Sequence, residues 1–336
     1  MHLTLTAFSE LLLKRSEDKM AYIGFDTSNY TTSVAAYFPE ENRILQLKRL
    51  LPVKEGEKGL RQSDAVFHHT VQLHSLTDEL FKDNNITVDG ICASAYPRAV
   101  DGSYMPCFLV GLNTAKVLGS VLKKDVKTTS HQNGHILAAL YSAGKLEFIN
   151  ERFIAFHVSG GTTEALLVEP DEKEVIKCTL VASSLDLKAG QAVDRVGVML
   201  GLKFPCGAEM DALAQNSTGK IQKAKPFSKG ADVSFSGLQN KCEKMYKDGC
   251  CKEDICAFCF EYIASALQIM TEKIIENYGD LPLLYSGGVM SNSIIRSKFE
   301  KKYGALFADA QFSADNAAGV AILAYLKSAS EENQIK

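Results

Sequence analysis

The sequence predicts an α/β protein made of two similar lobes, and two observations lead to this prediction. Each half of the chain begins with three short β-type runs and continues with alternating helix-type and strand-type segments. The first turn also repeats, because GFDTSNYTTSVAAY at 24–37 and FHVSGGTTEALLV at 156–168 each place a small polar turn and Thr-Thr between two strands. Duplicated lobes with a nucleotide cleft between them are the simplest architecture with this pattern. Two unrelated α/β domains remain the alternative, since short polar turns recur by chance.

Residue type and spacing define the elements of the first half. Apolar and β-branched runs separated by turn residues predict strands at 21–27, 32–38 and 44–49. Apolar residues at helical spacing predict a helix at 64–84. The elements that follow are a buried strand at 89–95, a helix at 105–121, a strand at 125–129 and a helix at 131–142.

The second half repeats this order. Three β-type runs predict strands at 152–158, 163–168 and 174–182. The later elements are helices at 188–200 and 253–278, a strand at 282–286, a helix at 289–301, a strand at 305–308 and a helix at 315–328.

Composition excludes several classes of protein. With 37 Lys and Arg against 40 Asp and Glu, the net charge of −3 provides no global basic field for nucleic acid, so any such contact must be a local patch. Nine cysteines at scattered spacings are typical of reduced thiols in a cytoplasmic protein. No apolar run reaches the ~18 residues of a membrane span, so no membrane contact is expected. Residues 1–19 lack the features of a signal peptide, and Met20 is a candidate natural start.

Two glycine turns are candidates for phosphate binding. Ser159-Gly160-Gly161 follows one predicted strand, and Ser286-Gly287-Gly288 joins another strand to a helix. Bare backbone N–H groups at such turns suit an anion, although a tight structural turn is the simpler reading of either one. Together with the turn at 26–28, the two favour a nucleotide site.

His131 and His135 are the candidate metal ligands. With Ser130 as N-cap, a helix would present both imidazoles on one face. Asp315 is a candidate third ligand, and a helix N-cap is its alternative role. The stretch His-Gln-Asn-Gly-His lacks the glutamate that a zinc protease requires, so peptidase activity is not expected.

Two other groups of residues are assigned more ordinary roles. Cys256 and Cys259 form a CxxC, but their helical spacing within an apolar run assigns them to packing. Four lysines without an intervening acid are typical of a solvated loop, with contact to a polynucleotide as the alternative. These are Lys220, Lys223, Lys225 and Lys229.

Taken in order, the motifs resemble those of the TsaD family of tRNA threonylcarbamoyladenosine synthases, historically called O-sialoglycoprotein endopeptidases. Their fold is the actin/Hsp70/sugar-kinase (ASKHA) fold. The family patterns GIETSCDET, HHMEGH, SGGHT, GEAFDK, YPGGP, FSFSGLK, GGVxAN and CTDNGA are similar to GFDTSNYTT (24–32), SHQNGH (130–135), SGGTT (159–163), GQAVDR (190–195), FPCGAE (204–209), VSFSGLQ (233–239), GGVMSN (287–292) and SADNAA (313–318).

This resemblance implies a domain organisation and a set of ligands. It implies an N-terminal extension at 1–20, lobe I at 21–148 plus 312–330, lobe II at 149–311 and a tail at 331–336. The implied cofactors are one divalent metal ion, iron or zinc, and an adenine nucleotide (ATP, AMP or threonylcarbamoyl-adenylate). Partners would be tRNA and TsaB-like and TsaE-like proteins.

The resemblance also assigns residues. It implies that a metal is held by His131, His135 and Asp315. The implied phosphate and carbamoyl site is His157, Val158, Ser159, Gly160 and Gly161, with Gly287 and Gly288 beside the nucleotide. The implied adenosine ligands are Asp194, Gly207 and Asn292.

At four places in the sequence, neutral residues stand where the family patterns have ionisable ones. The first turn contains Asn29-Tyr30-Thr31 in place of Cys-Asp-Glu, and the other three are Asn133, Thr162 and Gln191. The resemblance therefore predicts a divergent paralogue that moves threonylcarbamoyl from its adenylate to the exocyclic amine of a tRNA adenine. The alternatives are a carbamoyltransferase acting on a small molecule and a non-catalytic nucleotide-binding regulator.

Overall fold

The computed structural model describes residues 19–28, 30–52, 60–82, 84–219 and 223–335. The described residues form two compact units. Unit 1 holds those up to Ala138, with Lys173–Val175 and those from Asp315 onward, and unit 2 holds Ala139–Glu172 and Ile176–Ala314. The lobe boundaries given above remain a prediction, and residues 1–18 of the expected extension lie outside the described residues.

The elements in chain order are β1 (Lys19–Asp26), β2 (Thr31–Phe38), β3 (Arg43–Leu50), α1 (Gln62–Lys82), β4 (Ile86–Tyr96), α2 (Phe108–Leu122), β5 (Val126–Ser130), α3 (His131–Ser142), β6 (Phe153–Val158), β7 (Thr163–Asp171), β8 (Val175–Ser183), α4 (Ala189–Met199), α5 (Gly207–Ala214), β9 (Ser228–Lys229), β10 (Asp232–Val233), α6 (Ser236–Lys247), α7 (Lys252–Tyr278), β11 (Leu283–Ser286), α8 (Ser293–Tyr303), β12 (Leu306–Phe307), α9 (Ala310–Ser313) and α10 (Ala318–Ile335). Short 3₁₀ helices occupy Leu146–Asn150 and Gly288–Ser291.

Unit 1 is built around a five-stranded sheet with the order β3-β2-β1-β4-β5. Strands β1 to β3 form an antiparallel meander, and β4 and β5 run parallel to β1. Alternate residues of β1 face opposite sides of a sheet. Ile23 and Phe25 join the core formed with α1 and α2, whereas Tyr22 meets the Tyr325 ring of α10.

Unit 2 repeats this topology with the order β8-β7-β6-β11-β12. Its first two strands are antiparallel, and β11 and β12 run parallel to β6. The two sheets therefore have the same strand order, and the directions of β6, β7, β11 and β12 match those of β1, β2, β4 and β5, which confirms the predicted duplication of an α/β lobe.

Helix α7 lies in the core of unit 2. It is long and apolar enough to cross a membrane by length and composition, so the expectation that no apolar stretch reaches that length is wrong for this helix. Its apolar window is 72% buried, and Cys256 and Cys259 are fully buried with it. This burial identifies α7 as a core helix and confirms the packing role of both cysteines. The nine cysteines, all within the described residues, form no disulfide.

Several elements differ from the sequence predictions. The predicted helix at 289–301 is a 3₁₀ turn followed by α8, because the Asn292 side chain accepts a hydrogen bond from the Ile295 N–H and restarts the helix. The last helix begins at Ala318 rather than 315, which leaves Asp315 on the connection before it. Helices α5, α6 and α9 and the β9–β10 hairpin were not predicted.

Candidate functional site

His131 and His135 project from the start of α3 in unit 1. The Ser130 Oγ accepts a hydrogen bond from the Asn133 N–H at 3.1 Å, so Ser130 caps this helix as predicted. Residues four apart share a helix face, and the two Nε2 atoms are 2.9 Å apart. The predicted histidine pair is therefore assembled by local structure alone.

Asp315 reaches this pair from the connection before α10. Its Oδ1 lies 3.2 Å from the His135 Nε2 and 3.5 Å from the His131 Nε2. One ligand atom from each residue lies within 4.8 Å of the others. The structure therefore brings together all three predicted metal ligands, although they are 180 residues apart in sequence.

Two glycines allow α10 to come close enough. A Cβ on Gly319 would lie less than 2.5 Å from the Gly134 carbonyl oxygen of α3. A Cβ on Gly24 of β1 would similarly overlap the backbone of Ala321. Because only glycine fits at both contacts, α10 packs directly on α3 and β1, and Asp315 is held at the mouth of the site.

The three donor atoms fit a metal ion. An ion about 2.1 Å from each donor holds them roughly 3 to 3.4 Å apart, which matches the observed separations. Nitrogen and carboxylate ligands suit zinc or iron. Three protein ligands also leave coordination positions for a substrate.

Asp26, at the end of β1, orients His131. Its Oδ2 accepts a hydrogen bond from the His131 Nδ1 at 2.7 Å, and its Oδ1 accepts one from the Ser28 N–H at 2.8 Å. The carboxylate is 1% exposed. A proton on Nδ1 leaves the Nε2 lone pair directed at His135 and Asp315, the usual arrangement of a carboxylate behind a metal-binding histidine.

The charges of this cluster are strongly coupled. Burial acts to lower the pKa of His131, but the carboxylates of Asp26 and Asp315 outweigh it and raise that pKa to about 10. Burial acts to raise the pKa of Asp315, yet hydrogen bonds and charge from both histidines lower it overall. In the metal-free molecule, protonated His131 thus takes the place of a cation between two carboxylates.

Sequence reasoning missed two residues near this cluster. Asp26 was assigned to a nucleotide turn, and its contact with His131 links β1 to α3 across 105 residues, which no local pattern shows. Lys48 of β3 pairs with Ser33, whose Oγ accepts a hydrogen bond from the Ala317 N–H. Burial lowers the pKa of Lys48, and the Asp315 charge partly opposes this shift. The place of Lys48 near the cluster follows only from the strand register, which puts it opposite Ser33.

The two predicted glycine turns lie side by side in unit 2. Strand β11 pairs with β6 so that Ser286 is opposite His157, and the Ser286 Oγ donates a hydrogen bond to the Phe156 carbonyl at 3.0 Å. Gly287 has φ of +97°, and a Cβ there would overlap the carbonyl of Val158. A side chain at position 287 would therefore separate the two turns.

The Ser159–Gly161 turn is closed on itself and open to solvent. The Ser159 N–H donates to the Thr162 carbonyl at 2.7 Å, and the Ser159 Oγ accepts from the Thr162 N–H at 3.1 Å. A Cβ on Gly160 or Gly161 would meet no atom within 4 Å. Helix α4 supports the turn from behind, because a Cβ on Gly190 would be 2.6 Å from the Gly160 nitrogen.

Side-chain contacts place the remaining predicted nucleotide residues in unit 2. The Asp194 Oδ1 accepts a hydrogen bond from the Cys206 N–H at 2.9 Å, next to Gly207 at the start of α5. The Asn292 amide donates to Asp211 of the same helix at 2.7 Å. Asp194 thus contacts the residue before α5 and Asn292 contacts the middle of the same helix, through Asp211, which sequence reasoning missed.

The neutral replacements have structural partners. The Gln191 Oε1 accepts a hydrogen bond from the Lys188 N–H at 3.2 Å and caps α4. Thr162 closes the glycine turn through its backbone N–H and carbonyl, and Asn133 is 1% exposed on α3. Asn29 lies outside the described residues.

The family model and the curated relatives that match this chain carry the same description. The family model described as "TsaD: tRNA N6-adenosine threonylcarbamoyltransferase" matches residues 53–322. A protein of that name from Thermosipho africanus is 30% identical over 322 residues, covering 91% of this chain and 94% of that protein. One from Francisella philomiragia subsp. philomiragia is 28% identical over 325 residues, covering 90% of this chain and 93% of that protein.

Solved structures show the fold. Full-length HypF in its phosphate- and nucleotide-bound form matches with a TM-score of 0.58 at 11% identity, over 95% of this chain and 47% of that one. The (R)-2-hydroxyglutaryl-CoA dehydratase component A of Acidaminococcus fermentans matches with a TM-score of 0.54 at 15% identity, over 92% of this chain and 99% of that one. These similarities confirm the predicted fold class, an ASKHA-type α/β fold in duplicated lobes.

Proposed function

The chain belongs to the TsaD family of tRNA N6-adenosine threonylcarbamoyltransferases, and from that premise we propose that it moves threonylcarbamoyl from threonylcarbamoyl-adenylate to the exocyclic amine of a tRNA adenine. Family membership makes it a carbamoyl-type transferase. The donor, the acceptor position and the residues that bind them form the proposal.

The observation that supports it most strongly is the convergence of His131, His135 and Asp315 in unit 1. These residues would hold one divalent ion, and the ion would supply a Lewis acid for the carbamoyl oxygen. Asp26 keeps the His131 ring in the ligating tautomer. With two neutral imidazoles, the carboxylates of Asp26 and Asp315 together balance the charge of a divalent ion.

The glycine turns of unit 2 support binding of the adenylate. The exposed turn at Gly160 and Gly161 leaves room for its phosphate, and the open backbone at Gly288 suits close approach of the nucleotide. Asp194, Gly207 and Asn292 would complete this pocket around the adenosine. Alignment of the turns depends on Gly190 and Gly287, whose close contacts exclude a side chain.

The transfer forms one bond and breaks one. The adenine amine attacks the carbamoyl carbon, the bond from that carbon to the phosphate oxygen breaks, AMP leaves, and the amine proton passes to water. The mixed anhydride is already activated, so alignment of the two reactants provides most of the acceleration. This suits a site in which Thr162 and Gln191 are neutral and serve as structural hydrogen-bond partners.

Partner proteins of the TsaB-like and TsaE-like kinds are part of the same proposal. Helices α1 and α2 contact each other and expose apolar side chains, a feature of surfaces that bind other proteins. These side chains are Phe67, Val71, Val117 and Val121, each at least 60% exposed. Reduced cysteines and the tRNA substrate together favour a cytoplasmic location.

The test uses the purified full-length chain with threonylcarbamoyl-adenylate and unmodified tRNA. Nucleoside mass spectrometry is expected to find threonylcarbamoyladenosine, with release of AMP in equal amount. The Asp315→Ala variant should lose both products, whereas Asp280→Ala, which removes an exposed carboxylate, should keep them.

Two outcomes would redirect the proposal. AMP release that needs the metal but not tRNA, with a small amine or alcohol becoming carbamoylated, would replace tRNA by a small-molecule acceptor. Nucleotide binding without AMP release under any condition, including addition of TsaB-like and TsaE-like proteins, would leave a non-catalytic regulator.

A further inference from the structure

A segment of unit 2 before the β9–β10 hairpin presents a row of cationic and aromatic side chains. Between Lys223 and Lys229, exposure alternates strictly: every odd-numbered side chain is exposed and every even-numbered one is partly buried. The exposed side chains are Lys223, Lys225, Phe227 and Lys229. We refer to these four as the basic strip. Lys220 of the predicted lysine cluster lies outside the described residues.

The alternation shows that this segment is extended with one face toward the protein. Ala224 packs against the core of unit 2. Side chains two apart in an extended chain share a face and lie about 6.6 Å apart. The basic strip is therefore a single row rather than a scattered set of loop lysines.

The charges of the basic strip are available to a ligand. Within the described part of the chain, Lys223, Lys225 and Lys229 form no ion pair within 4 Å. Asp232 is opposite Lys229 in the hairpin, but its Oδ1 accepts a hydrogen bond from the Ser183 N–H at 2.7 Å. Phe227 is 65% exposed, so the face of its ring is open to a ligand.

The strip is fixed relative to the phosphate turn of the same unit. The Ser234 N–H donates to the Phe227 carbonyl at 3.0 Å, and the Asp186 Oδ1 accepts from the Phe235 N–H at 2.8 Å. Asp186 lies just before α4, where the Gly190 N–H donates to the Ser159 carbonyl at 3.1 Å. The basic strip is thus connected to the Ser159–Gly161 turn by a continuous set of hydrogen bonds within unit 2.

We infer that the basic strip binds an unpaired RNA strand, with the lysines on successive phosphates and a base stacked on Phe227. Regularly spaced cations suit a phosphodiester backbone, and an exposed ring suits the face of an unpaired base. A fully paired duplex offers no such base face, and an acidic peptide has no need of the ring. This inference rests on the proposed function, because it names the surface that would hold the loop of the tRNA acceptor.

The experiment measures binding of the full-length chain to two RNA probes by fluorescence anisotropy at several salt concentrations. One probe is a tRNA anticodon stem-loop, and the other is a fully paired duplex of equal length. The test variant is K223Q/K225Q/K229Q. The control, K116Q/K177Q/K301Q, removes three exposed lysines elsewhere.

Loss of three phosphate contacts is expected to reduce the slope of log Kobs against log salt by about 2 for the stem-loop. Affinity at moderate salt should fall at least about tenfold, while the control keeps both values. In F227A the affinity for the stem-loop should fall at least about fivefold, and the affinity for the duplex should change little. The charge-conserving K223R/K225R/K229R variant should retain the wild-type slope, and metal content and thermal unfolding should stay unchanged in every variant.

Three results would overturn the inference. Equal salt slopes in the test and control variants would show that the strip does not contact the RNA. The proposed function would still hold if the wild type modified tRNA. If F227A lost affinity equally for the stem-loop and the duplex, stacking of an unpaired base on Phe227 would be excluded. Loss of binding to a TsaB-like protein, with RNA binding unchanged, would reassign the strip to a protein partner.

Discussion

The two units have the same sheet topology but use the end of their first strand in different ways. In unit 1, β1 ends in the buried carboxylate of Asp26, which orients His131. In unit 2, β6 ends in the turn Ser159–Gly161, which offers exposed backbone without side chains. One fold therefore provides a place for metal ligands in one copy and a phosphate turn in the other.

The source of this difference is the type of residue at the end of the first strand and in the turn that follows it. A carboxylate at the strand end can hold an imidazole, and glycines at the strand end leave N–H groups exposed. Glycine is used in both units for close packing, at Gly24 and Gly319 in unit 1 and at Gly190 and Gly287 in unit 2. Substitutions in each unit should therefore affect different ligands.

The largest effect is expected from H131A. Loss of this nitrogen ligand should reduce metal affinity by more than the ~10–100-fold typical of losing an outer hydrogen-bond partner. The control H74A removes an exposed histidine of α1. Metal content after dialysis, measured by plasma mass spectrometry, should fall only in H131A, and nucleotide binding by unit 2 should be retained. Equal metal loss in both variants would contradict the site.

In unit 2, G287A should disrupt the close contact that holds the two glycine turns side by side. A Cβ at a φ of +97° and in contact with Val158 costs about 3 kcal/mol. The melting temperature should fall by about 5 °C, and nucleotide affinity should fall with it while the metal is retained. In G288A the new Cβ meets no protein atom within 4 Å, so this variant should keep the wild-type melting temperature. Equal falls in melting temperature in both variants would show that contact with Val158 is not the constraint.

D26N should have a smaller effect on the metal. The amide oxygen can still accept from the His131 Nδ1, but the charge that strengthens the ligand is lost. Metal affinity should fall about tenfold with little change in phosphate binding. Titration with zinc against a competing chelator measures this change, and unchanged affinity would show that Asp26 serves only the fold.

Metal-free protein should show a pH dependence that arises from unit 1. The pKa of His131 is raised to about 10 in the folded state, so the stabilisation that its protonation provides is fully present below about pH 6.5 and is lost as the pH rises through 10. The melting temperature of chelator-treated wild type relative to H131N should therefore be greatest near pH 6 and decline toward pH 10. A difference in melting temperature that stays constant with pH would contradict a protonated His131 held by the carboxylates of Asp26 and Asp315.

Sequence patterns predicted the parts of the molecule that local physics controls. The duplicated strand order follows from β-type runs, the pair His131 and His135 from helical spacing, and the glycine turns from residue type. The contact between Asp26 and His131 depends on strand register and on the packing of distant elements. The break at Asn292 depends on a side-chain cap within an otherwise helical pattern, and the alternating exposure of the basic strip requires coordinates.

We expect one metal ion to bind His131, His135 and Asp315. Anomalous diffraction from crystals of the metal-loaded protein, collected at the absorption edge of zinc or iron, would locate this ion. A single strong peak about 2.1 Å from both Nε2 atoms and from the Asp315 carboxylate is the predicted result. A peak bound by other side chains, or none near these three in protein shown to contain stoichiometric metal, would contradict it.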